Sequence, residues 1–159
     1  MAIDTNDIRS TLNGLIETCK DGEAGFRISA EELRDPQTRQ LFESYANQRA
    51  NFARDLQGLV VKIGGDAETS GSTAGALHRG WLNIKAAIAG DEDKAILEEA
   101  ERGEDTAVKN YRDALAKDFP SGIRAAIERQ YQDVQQTHNS VRALRDSAKT
   151  TTGSFRSTM

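Results

Sequence analysis

The chain has 159 residues, 29% of them charged, with a formal net charge of −4 and a single cysteine. This length suits one domain with a sizeable core, and the acidic balance without a Lys/Arg run argues against nucleic-acid binding. No apolar run approaches the ~20 residues that cross a bilayer, and one cysteine excludes an internal disulfide. The N-terminus also lacks the basic-then-apolar order of a signal peptide, so we expect a cytoplasmic protein that does not insert into membranes.

Two long helices are predicted in the first part of the chain. They cover residues 4–34 and 36–63, and in each of them apolar residues recur three and four positions apart. Asp35-Pro36 provides a cap and a preset first helical residue for the second helix. Gly64-Gly65 predicts its end.

The connection that follows is unusually long for a helical bundle. Residues 66–75 are polar and predict a loop. Residues 74–89 predict a short amphipathic helix that Trp81 anchors on the bundle. We interpret His78, on the same short helix, as a packing or capping residue.

Two more long helices are predicted, over residues 91–117 and 120–149, with a turn at 118–120 between them. Residues 150–159 show no apolar stripe, so we expect a bundle over 1–149 followed by a flexible C-terminal tail. Tight turns make each pair of helices an antiparallel hairpin, whereas the long connection lets the second and third helices run parallel. The predicted fold is therefore an all-α, ferritin-like four-helix bundle with a long crossover that contains a short extra helix. A plain up-down bundle with an excursion is the alternative.

Each long helix has one place where its apolar stripe turns polar. Counting from the turns near 35 and 120 brings all four places to one level of the bundle. The sequence thus predicts a central polar layer with Gly22 or Glu23 from the first helix and Gln48 or Arg49 from the second. The third helix contributes Glu101 and Glu104, and the fourth contributes Thr137 or His138.

Buried charges must be paired or hold a metal, which leaves two interpretations of this layer. One is a metal site built from Glu23, Glu101, Glu104 and His138, with one iron, manganese or zinc ion. The other, which we favour, is an ion network without a cofactor. In it Arg49 points inward and bonds one of the three glutamates, with His138 near the same carboxylates. A di-iron site needs two Glu-x-x-His motifs, but the fourth helix has only Gln135-x-x-His138 and the second has no histidine. We interpret Cys19, on an apolar stripe, as a small buried hydrophobe and not a nucleophile.

Several segments resemble one bacterial family of ferritin-like four-helix bundles, which is described as a domain of unknown function and is distantly similar to rubrerythrin. They are LIETCKDGEAGFR (15–27), FESYANQRANF (42–52), GSTAGALHRGW (71–81), ILEEAERGEDTAVKNYRDAL (96–115) and IERQYQDVQQTHNSVRALRD (127–146). The resemblance covers residues 5–149 and implies the bundle and its crossover helix, with no known activity and an occasional link to stress response. Unlike ferritins proper, this sequence lacks a Glu-x-x-His motif in its second helix, which argues against iron oxidation.

Three functions fit these observations. The first, which we favour, is a non-enzymatic bundle that assembles with its own copies or with a protein partner, in the stress-linked role that the family implies. The second is a metal-binding redox or storage protein related to ferritin. The third is a bundle that binds a ligand in its central polar layer. The sequence identifies no catalytic residue.

Overall fold

The computed structural model describes residues 4–71 and 93–157, with side chains as far as residue 148. This part of the chain forms four helices and no strand: α1 (Thr5–Glu32), α2 (Pro36–Lys62), α3 (Asp93–Leu115) and α4 (Ser121–Ser157). The predicted all-α bundle is thereby confirmed. One boundary differs, since α4 continues to Ser157 instead of ending at 149. The predicted crossover helix at 74–89, with His78 and Trp81, lies outside the described residues.

The ends of α2 follow from local chemistry. Asp35 is the N-cap of α2, and its carboxylate accepts hydrogen bonds from the Thr38 amide at 3.0 Å and the Thr38 hydroxyl at 2.6 Å. Pro36 occupies the start of the helix, where its missing N–H costs nothing. Just beyond the helix, Gly64 has a φ of 79°, a conformation that glycine adopts without a Cβ penalty.

Contacts between the helices fix their directions. The Asp93 carboxylate, at the start of α3, accepts hydrogen bonds from the backbone amides of Arg34 and Asp35 at 2.9 and 3.1 Å. At the other end of the bundle, Lys117 Nζ donates to Thr11 Oγ1 at 2.8 Å. α3 is therefore antiparallel to α1 and parallel to α2. α1 packs against α2 and α3, and α4 packs against α3 and α2, so α2 and α3 lie on a diagonal.

The chain after α2 turns back along α1. Asn13 Nδ2 donates to the Asp66 carbonyl at 3.2 Å, and Asn13 Oδ1 accepts from the Glu68 amide at 2.9 Å. Gly71 then lies so close to Asp21 that a Cβ at position 71 would clash with that carboxylate. From residue 13 to residue 21 a helix advances about 12 Å. This segment is thus the beginning of a crossover toward the end of the bundle where α3 starts.

Two apolar clusters fill the bundle, one on each side of a polar layer. The larger cluster contains Ile8, Leu12, Leu15, Ile16, Cys19, Ala53, Leu56, Val60, Ala107, Tyr111, Ala114, Phe119, Ile127 and Val134. The other contains Phe26, Ala30, Leu33, Phe42, Ala46, Ile96, Leu97 and Val141. Every helix passes from one cluster to the other through a position that is glycine or polar, and these positions form the centre of the bundle.

Candidate functional site

An ion pair occupies the centre of the bundle. The Arg49 side chain, on α2, is 0% exposed and the Glu104 side chain, on α3, is 3% exposed. Arg49 Nη1 donates to Glu104 Oε2 at 2.9 Å and Nη2 donates to Oε1, so the guanidinium engages both carboxylate oxygens. Planar, two-pronged pairing of this kind is the strongest form of side-chain ion pair and is specific to arginine.

Two residues of α1 make the space for this arginine. A Cβ on Gly22 would lie 3.0 Å from Arg49 Nη1, so the missing side chain at this position is what admits the guanidinium. The guanidinium carbon also lies 5.5 Å from the centroid of the Phe26 ring, a distance at which a cation and an aromatic face attract each other. The break in the α1 stripe is therefore a gap that Arg49 fills from across the bundle.

Glu104 is the main group that keeps Arg49 charged in the buried centre. Burial works to lower the pKa of the Arg49 guanidinium, but the Glu104 carboxylate raises it above the usual arginine value. Arg49 Nε is buried and has no hydrogen-bond partner among the described residues. The contact with Glu104 is consequently made by Nη1 and Nη2 and does not involve Nε.

A second polar chain lies two helical turns along α3, inside the larger apolar cluster. The Tyr111 hydroxyl donates to Gln130 Oε1 at 2.7 Å, and the Cys19 thiol, 3.0 Å from the same oxygen, is left to donate to it. Gln130 Nε2 then reaches the Phe52 carbonyl at 3.3 Å. All four helices contribute one member to this chain.

Burial dominates the chemistry of Cys19. It raises the pKa of the thiol to about 11, although the hydrogen bond with Tyr111 and the charge of Arg49 act in the opposite direction. A thiol of this pKa carries almost no thiolate at neutral pH, and the thiolate is the nucleophilic form. The environment of Cys19 is that of a structural residue.

The sequence-predicted layer residues divide into separate groups. Glu23 lies outside the centre, which corrects its expected place there: its carboxylate bonds Lys20 at 3.3 Å and Arg27 at 3.2 Å, because Gly22 takes the inward position. Gln48 is half-buried, with its Oε1 3.3 Å from the hydroxyl of Thr137, the residue that α4 turns inward.

Glu101 and His138 lie together at the α3–α4 seam, where they have partners other than Arg49. Glu101 bonds Arg142 at 3.3 Å and also Arg145. His138 Nε2 lies 2.5 Å from Asp105 Oδ1. Sequence reasoning missed Asp105, although its position one helical turn after Glu101 puts both carboxylates on one face of α3. Glu101, Asp105 and His138 offer ligand atoms within 4.8 Å of one another.

The centre does not fit the di-iron site that ferritin-like bundles imply. Such a site needs inward carboxylates from all four helices and a histidine from two of them. Here Arg49 neutralises the Glu104 carboxylate, and α1 and α2 contribute Gly22 and Arg49 in place of carboxylates. Glu101, the other buried carboxylate of α3, pairs with two arginines of α4. Gln135, the first residue of the only related motif, is exposed. A fixed guanidinium at this position also repels cations.

An open groove of about 480 Å³ lies elsewhere, between α1 and α3. It is lined mostly by polar side chains, among them Glu17, Asp21, Asn110 and Lys117, and it does not reach Arg49 or Glu104. The described part of the chain contains no helix that is both long and apolar enough to span a membrane.

Three solved structures resemble this bundle at low sequence identity. The ferritin-like and dj-1/thij/pfpi-like two-domain protein of Anabaena variabilis superposes with a TM-score of 0.74 at 12% identity, over 94% of this chain and 39% of that one, so this chain spans about two fifths of its length. A Dps1 mutant from Mycobacterium smegmatis gives a TM-score of 0.73 at 14% identity, over 89% of this chain and 96% of that one. A ferritin-like, diiron-carboxylate protein from Bacillus anthracis gives 0.59 at 14% identity, over 94% of this chain and 97% of that one.

These likenesses establish the ferritin-like fold and nothing about activity. No curated protein matches the sequence. A family model, in contrast, matches residues 7–117, a range that includes α1, α2, α3 and the connection between the hairpins. On that match the chain belongs to the family described as Domain of unknown function (DUF2383).

Proposed function

We propose that this protein is a non-enzymatic, ferritin-like bundle that acts through contacts with other protein chains, in the first instance its own copies. The observation that carries the proposal is the Arg49–Glu104 pair. It fills the place of a metal centre with a closed and fully buried contact, 0% and 3% exposed. Both oxygens of Glu104 are engaged by Arg49, and the fixed guanidinium repels cations, so the centre is unfavourable for a metal ion.

The outer face of α1 supports an assembly role. Gly14 and Gly25 lie eleven residues apart, which places them on one face of the helix. Within the part of the chain that the structure describes, a Cβ at either would meet no atom within 4 Å. A glycine inside a helix costs about 1 kcal/mol relative to alanine. Close approach of a second backbone is one gain that offsets this cost, as it does where helices pack tightly.

The test combines self-association with iron chemistry on protein without a histidine tag. Sedimentation over about a hundredfold range of concentration should show a mass that rises by mass action. Added ferrous iron should oxidise no faster than in buffer. A strictly monomeric protein would contradict the assembly role. Iron oxidation that is lost in Glu104→Gln would show instead that the centre is catalytic, as in a ferritin-related redox or storage protein.

A further inference from the structure

We propose that the α3–α4 seam is a binding site for one divalent transition-metal ion, with Glu101, Asp105 and His138 as ligands. This site is distinct from the centre of the bundle, so it neither needs nor contradicts the ion pair there. The three ligand atoms already lie within 4.8 Å of one another, and they come from two rigid helices. Ligands about 2.1 Å from a zinc ion are about 3.4 Å apart in a tetrahedral site. Binding therefore needs shifts of about 1 Å: His138 Nε2 and Asp105 Oδ1, now 2.5 Å apart, must separate, and the more distant ligand atoms must approach.

The exposure of the ligands suits entry and retention of an ion. The side chain of Glu101 is 7% exposed and that of His138 is 13% exposed, whereas Asp105 is 61% exposed. Two ligands are thus held by packing, and the third is free to close over an ion that arrives from solvent. Positions that the protein leaves open would be taken by water, as in zinc sites with three protein ligands.

His138 is oriented as a metal ligand would be. Its Nε2 faces the carboxylate of Asp105, and its Nδ1 lies 3.4 Å from Asn139 Oδ1. The 2.5 Å contact places a hydrogen between Nε2 and Asp105 Oδ1, and a bound ion would replace that hydrogen. The hydrogen on Nδ1 would then point to Asn139, and outer hydrogen bonds of this kind commonly fix the ring of a metal-bound histidine. An imidazole with two carboxylates fits zinc, iron(II) or manganese(II) better than calcium or magnesium.

The two arginines at Glu101 set the expected affinity. Arg145 bonds Oε2, which leaves Oε1 to turn toward the ion. Arg142 reaches Oε1 only at 3.3 Å, and its side chain is 56% exposed. Because Arg142 competes with the ion for the same oxygen, its removal should tighten binding.

Zinc chloride titrated into tag-free protein, followed by calorimetry, tests the site, with the visible bands of bound cobalt(II) as a second readout. We expect one ion per chain. His138→Gln and Asp105→Asn should each weaken binding by about tenfold or more, since a ligand is worth at least as much as an outer-shell group. Arg142→Gln should strengthen it.

Asp113→Asn is the matched control, because Asp113 is an exposed acid of the same helix that pairs with Lys109. It should bind zinc as the wild type does, and circular dichroism should show every variant folded. Two results would overturn the proposal: no zinc bound at millimolar concentration, or zinc bound with equal affinity by the wild type and by both ligand variants. Neither result bears on self-association or on Glu104.

Discussion

Replacing Arg49 by methionine should lower the free energy of unfolding of this bundle by a large part of its total. The substitution keeps much of the apolar stem and removes the charged head. Glu104 would then remain as a buried carboxylate, 2% exposed, without a cation. Loss of one partner from a buried ion pair costs about 3–5 kcal/mol, against a total stability of about 5–15 kcal/mol for a typical domain.

Urea unfolding followed by helical circular dichroism measures this cost. The decisive comparison is Arg49→Met alone against Arg49→Met with Glu104→Leu. Apolar replacement of both members of a buried pair is often neutral or stabilising by about 1–4 kcal/mol. The double variant should therefore be several kcal/mol more stable than the single one.

Arg54→Met, at an exposed position of the same helix, is the control and should change stability by less than about 0.5 kcal/mol. A single variant that loses less than about 1 kcal/mol would refute the reasoning, since no unpaired charge would then have been left behind. A double variant that is as unstable as the single variant would also refute the reasoning.

Two further predictions concern the neighbours of the pair. Gly22→Ala should lower stability by about 1–2 kcal/mol, since its Cβ would lie 3.0 Å from Arg49 Nη1. Gly25→Ala, which meets no atom of the described residues within 4 Å, should raise stability by up to about 1 kcal/mol. Equal urea midpoints for the two variants would refute the close fit at Gly22. The pKa of Cys19 is about 11 in the folded protein against 9.0 for an unperturbed thiol. Stability should therefore fall above about pH 9, because the thiol of the unfolded chain ionises there while the folded one stays protonated. Relative to Cys19→Ala, the wild type should lose roughly 2 kcal/mol of stability between about pH 9 and pH 11, and a constant difference in urea unfolding would contradict this.

The helices and the level of the polar layer follow directly from the sequence. Caps such as Asp35 act through their own backbone, and stripes with spacings of three and four fix which face is buried. The directions of the helices follow from connection lengths, because a short turn forces an antiparallel pair. These are local signals, and each can be read without knowing the rest of the fold.

The rotation of each helix at the polar layer could not be predicted with the same certainty. In α1 the stripe jumps from Cys19 to Phe26, and either Gly22 or Glu23 fits the gap, although the two point about 100° apart. The inward choice of Gly22 depends on the volume of an arginine from another helix. Asp105 was missed for a related reason: it belongs to the outer side of α3, where its place opposite His138 depends on how α4 packs.

The ion pair also has a consequence for how the two hairpins recognise each other. α2 and α3 belong to different hairpins and lie on a diagonal of the bundle, so few side chains pass directly between them. Apolar faces alone would tolerate one hairpin sliding along the other by a helical turn of about 5.4 Å. Such a slip would leave both Arg49 and Glu104 buried without a partner. The Arg49–Glu104 contact therefore disfavours alternative registers of the two hairpins, because a shifted register would separate the two buried charges.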